Sequence, residues 1–473
     1  MSFQLEPFAP LGIDETLLNV LIHEHEAGTQ PRLSRLWRYY RNWLSEPTIE
    51  GGSTSAPAQC VGLPARLTEI YQLLRDDRYQ REVVVENDIM WRVHALIDFM
   101  FPEPVRILSR ASDPETQAAI ETILEAVIRA NGGPILWQTA ALLAAIYGHV
   151  DFLLRVETPN GLNIPGQAGG AAGRDPSLGD AWSKTMIDAA AERSAAMLAI
   201  ETVEAPRAFP ILNPDDFRKV DCYVIRFARS SRSTMKGASS QESPGVREPL
   251  KMQQAAVTEI LSGEHWQRYE NDELVAEGRN TLGRIPLVHI QNLPQPFHYS
   301  GLSDVEPLIP LQDELNTRLS DRANRVTMQS FRMWLGKGID GFTDRPVGPG
   351  QMWVTDNPDA SIESFGGDSE SPSEEAHIQE LRDAMDRASG VTPAAAGHIE
   401  SRIGNLTSEN AMRVSLIGLI NKVKRKREHF GHGIVQLCQM IFEALDSAGV
   451  YHTDPSDRLV EVHWADALPI DGT

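Results

Sequence analysis

The stretch from Tyr299 to Gly390 constrains the fold most, because two long amphipathic patterns flank an insert rich in glycine and proline. Ser303-Asp304-Val305-Glu306 has the S-x-x-E form of a capping box and marks a helix start. Leu308, Leu311, Leu315, Leu319, Ala323 and Val326 then recur every three or four residues between charged positions. That spacing predicts one apolar stripe facing a partner. Pro307 and Pro310 fall in the first turns, where proline is tolerated. Carried to Ser330, the helix spans roughly 40 Å at about 1.5 Å per residue, too long for its own chain to cover. A second helix is predicted from a Ser371 cap and Pro372, through Ile378, Leu381, Met385 and Ala388, to Gly390; Pro393 blocks its resumption. Between the helices, residues 331–336, 351–355 and 361–365 read as short strands.

The rest of the 473-residue chain is mixed, and 41% hydrophobic with 23% charged residues is ordinary for a globular protein. Helical periodicity is read over residues 14–44, 65–76, 92–100, 114–131, 135–147 and 408–446. Strands are read at 105–108, 152–157, 200–203, 221–227, 257–261, 265–269, 274–277, 282–292 and 459–464. Segments 159–179 and 228–254 read as flexible loops. Gly431 and Gly433 are the expected kink in the last long helix. The fold class is therefore α+β and multidomain.

No catalytic constellation emerges. The glycine-rich loop after Gly161 lacks the Lys-Ser/Thr of a phosphate-binding loop, and no zincin, nucleophile-elbow or paired-cysteine pattern occurs. No cofactor and no metal are expected. His23-Glu24-His25-Glu26 is not H-E-x-x-H and reads as a solvated helix face. Cys60, Cys222 and Cys438 read as buried thiols. No apolar run approaches the ~20 residues of a membrane span, so a soluble cytosolic protein with no membrane partner is expected. The formal net charge of −21 disfavours a protein that grips nucleic acid, yet suits a conduit past which DNA slides. Aromatic and arginine residues interleave from Arg35 to Trp43, a pattern that can serve nucleic acid, but Leu36, Tyr40 and Trp43 share a face suited to packing, which is the favoured reading. Lys422, Lys424, Arg425, Lys426 and Arg427 form a dense basic cluster, read as a solvated or subunit-facing patch with DNA contact as the alternative.

Leu282-Gly283-Arg284-Ile285-Pro286-Leu287-Val288, Tyr299-Ser300-Gly301-Leu302-Ser303-Asp304, Leu311-Gln312-Asp313-Glu314-Leu315-Asn316 and Ser320-Asp321 resemble, in that order, tailed-bacteriophage portal proteins. Gly390-Val391-Thr392-Pro393 and Ser408-Glu409-Asn410-Ala411-Met412-Arg413 resemble that family's approach to the tunnel loop and its following helix. The resemblance implies a wing over 1–300, stem helices at 301–331 and 372–390, and a clip at 332–371. It further implies a tunnel loop at 391–407, a long wing or crown helix at 408–446, and a small crown at 447–473. It implies a ring of roughly twelve copies at one capsid vertex, assembled in the host cytoplasm. The genome would enter and leave through it, and the terminase, head-completion and tail-adaptor proteins, capsid, scaffold and double-stranded DNA would be its partners. His398, Arg402 and Asn405 would face DNA, while Leu308, Leu311, Leu315, Leu319 and Val326 would form the stem's oligomerisation stripe. A head–tail connector ring without portal topology and a DNA-packaging enzyme are the rival readings.

Overall fold

A computed structural model describes residues 3–42, 84–158, 161–163, 184–231, 253–330, 333–338, 358–365, 372–397 and 413–467. Its helices are α1 (Glu15–Glu24), α2 (Gln30–Arg41), α3 (Asp88–Met100), α4 (Pro114–Ala130), α5 (Pro134–Tyr147), α6 (Lys184–Met197), α7 (Ile309–Ser330), α8 (Pro372–Ser389) and α9 (Ile417–Ser447). Its strands are β1 (Arg106–Ser109), β2 (His149–Thr158), β3 (Gly161–Asn163), β4 (Leu198–Val203), β5 (Ala208–Leu212), β6 (Val220–Ser231) and β7 (Gln253–Ser262). They continue with β8 (His265–Glu270), β9 (Glu273–Arg279), β10 (Leu287–Gln291), β11 (Met333–Lys337), β12 (Ser361–Phe365) and β13 (Val460–His463). The chain divides into two compact units: Met1–Tyr40 with Met90–Glu306 and Gly390–Thr473, and Arg41–Ile89 with Pro307–Ser389.

In the first unit, alternation along β6 builds two cores at once. Cys222 and Val224 turn to one face, where they meet Phe3, Phe8, Leu18 and Ile22 from the N-terminal segment. Tyr223 and Ile225 turn to the other, where they meet Leu153 of β2 and Val203 of β4. The sheet is an antiparallel meander ordered β5-β6-β7-β8-β9, with one of these clusters on each face of its central strands. β2 carries β3, β4 and β10, all antiparallel, while β1 pairs with β13. α9 packs against β10 at Gly433, where an added Cβ would lie 2.2 Å from Ile290 Cδ1.

In the second unit, β11 and β12 pair antiparallel between α7 and α8. The polar residues of α7 have a structural use there. Gln312, Asn316 and Ser320, each four apart, are buried on one face and accept the backbone N–H groups of Asp88, Glu86 and Val84, all at 3.0 Å. Every second residue of an extended chain advances about 6.6 Å, and every fourth of a helix about 6 Å, so the two repeats run in step. Arg382 of α8 holds the Glu86 side chain at 2.7 Å, and Arg325 of α7 pairs with Glu374 of α8.

Several expectations change. α9 is one continuous helix through Gly431 and Gly433, and these glycines make room for the Trp464 and Ile290 side chains. Leu308, Leu315 and Leu319 are buried within the chain itself, Leu311 is half-buried, and Val326 is exposed. The covered part of the stripe is therefore not a free interface. His25 is not solvated: it is buried, its Nε2 lies 2.9 Å from the Pro206 carbonyl, and its ring packs on Phe209. α6 was not legible as a helix, and β6 and β7 extend into the segment read as a loop. The helix expected at 65–76, the strand at 351–355 and the caps at Ser371 and Ser408 lie outside the described residues.

Gly148 (φ +94°) and Gly301 cross so closely that a Cβ on Gly301 would sit 2.5 Å from the Leu293 carbonyl oxygen and 2.6 Å from that of Gly148. Backbone cannot yield as a side chain can, so Gly301→Ala is expected to lower stability by about 2–3 kcal/mol. Gly28→Ala, where nothing lies within 4 Å, is expected to leave it unchanged or raise it. Thermal unfolding of both variants checks this; equal midpoints would contradict the close approach.

Candidate functional site

The segment Leu293–Asp304, which leads into α7, is fastened by two buried polar clusters, both within the first unit. The first centres on Asp304. Lys422 and Lys426 stand four apart on α9, so their ammonium groups leave the same helix face. Lys422 Nζ lies 2.8 Å from Asp304 Oδ1, and Lys426 pairs with Asp304 Oδ2. Lys426 Nζ also donates to Asn292 Oδ1 at 2.6 Å, while Asn292 Nδ2 donates to Asp304 Oδ2 and to the Leu302 carbonyl, each at 2.9 Å. Asn292 is 1% exposed, Lys426 2%, Asp304 4% and Lys422 8%. Burial alone would raise the Asp304 pKa, but the two ammonium groups outweigh it and hold the carboxyl far below its usual range. Burial lowers the Lys426 pKa, against the attraction of Asp304.

Backbone and hydroxyl bonds complete this anchorage. Asp304 N–H donates to the Ala145 carbonyl (2.8 Å), Asn292 N–H to Gly148 (2.9 Å) and Ser303 Oγ to Ile146 (2.5 Å). Ser303 Oγ also accepts from Val305 N–H at 3.0 Å and Glu306 N–H at 3.3 Å, so the expected cap exists. Its reciprocal arm does not: Glu306 pairs with Arg32 at 2.7 Å.

The second cluster centres on Asp151 of β2, which is 2% exposed. It accepts from Tyr223 Oη (2.7 Å), Tyr299 Oη (2.9 Å) and His289 Nδ1 (2.6 Å), and His289 Nε2 lies 2.8 Å from the Tyr299 carbonyl. The His289 ring is thus held between a carboxylate and a backbone carbonyl. Burial and the Asp151 charge push the Tyr223 and Tyr299 hydroxyls well up. Next to them His149 is buried, its Nε2 4.0 Å from Asp151 and its Nδ1 without a hydrogen-bond partner. Its pKa is lowered to about 4, chiefly by burial, which the Asp151 charge only partly offsets.

The basic cluster read from the sequence is thereby corrected. Lys422 and Lys426 are core residues, and Arg427 donates to the carbonyls of Met100 (3.1 Å), Phe99 (3.0 Å) and Ala465 (2.8 Å). Lys424 and Arg425 remain exposed. Lys426 fills the gap in the apolar stripe between Val423 and Phe430, the one signal that could have marked it as buried. His398, Arg402 and Asn405 lie outside the described residues. Burial pushes the Cys222 and Cys438 thiols up to about 12, as suits inert core residues. The arrangement ties β10, α5 and α9 to the segment that leads into α7.

Below pH 6.5 the unfolded chain protonates His149 while the folded chain resists until about 4. His149 therefore contributes stability above 6.5 that is lost as pH falls toward 4, up to about 3 kcal/mol at about 1.36 kcal/mol per unit. His149→Gln should flatten that part of the stability–pH curve. Denaturant midpoints measured across the window check this, and parallel curves for the two proteins would contradict it.

No curated protein matches the chain by sequence. Among solved structures, a chain described as "Neck of empty GTA particle computed with C6 symmetry" aligns at 12% identity and TM-score 0.44, covering 80% of each chain. The family model "Phage portal protein, SPP1 Gp6-like" matches residues 177–473, which hold the Asp304 cluster, α7, α8 and α9. This chain belongs to the SPP1 Gp6-like family of phage portal proteins.

Proposed function

We infer that the chain is the portal subunit of a phage-like particle: copies form a ring at one capsid vertex, through which the genome enters and leaves the head. Family membership across 177–473 is the observation that carries this reading. The second unit supports its finer parts. α7 and α8, with β11 and β12 between them, fit a pair of stem helices that ends in a small clip. On this reading the first unit supplies the wing, and residues after α9 supply a small crown. The partners are the terminase, head-completion and tail-adaptor proteins, capsid, scaffold and DNA, at a capsid vertex of the virion, and the subunit itself performs no catalytic step.

A net charge of −21 suits a channel wall that repels phosphate and lets DNA slide. His398, Arg402 and Asn405 are proposed to face that DNA, making sequence-blind contacts. Since Leu315 and Leu319 are already covered, the exposed Val326 is the part of the α7 stripe left for a neighbouring copy.

Cryo-electron microscopy of the purified protein is expected to show a closed ring of roughly twelve copies with a bore wide enough for duplex DNA. Residues 398–405 are expected to line the bore. A monomer or an open assembly at micromolar concentration would overturn the portal reading, and a ring with residues 398–405 on its outer wall would overturn only their assignment.

A further inference from the structure

The Asp304 cluster brings a nucleophile, an electrophile and a proton carrier together in a place shielded from water. Lys426 Nζ is 2.6 Å from Asn292 Oδ1, so the amine already touches the carboxamide whose Cγ it would attack. The same Asp304 oxygen, Oδ2, accepts from both Lys426 Nζ and Asn292 Nδ2, the second at 2.9 Å. It thus meets both the attacking and the leaving nitrogen. Asp304 Oδ1 is occupied by Lys422 at 2.8 Å, which holds the carboxylate in place. Lys426 lies in mid-α9, and Asn292, 134 positions earlier and just past β10, is held by its N–H on the Gly148 carbonyl and its Nδ2 on the Leu302 carbonyl. We propose that Lys426 and Asn292 join in an intramolecular isopeptide bond, with Asp304 carrying the proton.

The step balances without an external reagent. Lys426 passes a proton to Asp304, and the neutral amine attacks Asn292 Cγ to form a C–N bond. Asp304 returns the proton to Nδ2, the Cγ–Nδ2 bond breaks, and nitrogen leaves as ammonia. The surplus proton on the new amide nitrogen passes through Asp304 to that ammonia. One ammonium ion is released, Asp304 ends ionised as it began, and nothing is oxidised or reduced. Burial weakens the hold of Lys426 on its proton, and the adjacent Lys422 charge works in the same direction. Fixed geometry replaces the encounter that makes amine attack on an amide slow in solution. The product would tie the end of β10 covalently to α9. This inference does not depend on the portal reading.

The test is intact mass spectrometry of the full-length protein under denaturing conditions, with peptide mapping, beside Lys426→Met from the same host. The wild type is expected to be lighter than its sequence by one ammonia and to yield a branched tryptic peptide joining Asn292 and Lys426. The variant is expected at its full sequence mass, a measurement that does not require it to fold. A wild type at full mass with Asn292 and Lys426 in separate linear peptides would overturn the proposal. So would an ammonia loss without the branched peptide, since cyclisation of the Asn292 side chain onto its own backbone gives the same mass.

Discussion

One carboxylate, Asp304, lies between two ammonium groups in the interior of the first unit, and the path of the chain into α7 depends on it. Taking three charges out of water is costly, and an apolar replacement of the whole set could be as stable. What the charges supply is direction. An apolar contact tolerates sliding, whereas Asp304 meets both lysines only when α9 stands at one register and Asn292 at one position. Removing one member leaves buried charge uncompensated, at a cost of about 3–5 kcal/mol.

Around that point the backbone is equally committed. The Gly148–Gly301 crossing, the Asp304–Ala145 and Asn292–Gly148 hydrogen bonds and the Ser303 cap all act on residues 292–306. The Asp151 cluster fixes the earlier half of the same segment through Tyr299 and His289. In the second unit, the ladder of Gln312, Asn316 and Ser320 gives α7 a comparable directional hold on residues 84–88.

Much of the fold was legible because its elements are strongly periodic: α4, α7 and α8, and the meander from β6 to β9, follow the helical or alternating pattern of their residues, while α5 showed as a continuous run rich in alanine and leucine. α6 was not, since its buried side is alanine and serine and presents little apolar contrast. The polar ladder on α7 was hidden because Gln, Asn and Ser at helical spacing resemble a solvated face. The charge clusters were hidden by distance in sequence. Asp304 and Lys426 are 122 residues apart, Asp151 and His289 138, and no local spacing reports such a pairing. Reading Lys422–Arg427 as one patch failed because a run of like charges wraps around a helix, so its members face both core and solvent.

The claim that Asp304 anchors the root of α7 is tested most directly by amide hydrogen exchange on Asp304→Asn beside the wild type. The account predicts that protection falls in residues 292–306 and around Lys422–Phe430, while the β6–β7 hairpin keeps its wild-type protection. Unchanged exchange in residues 292–306 would contradict it.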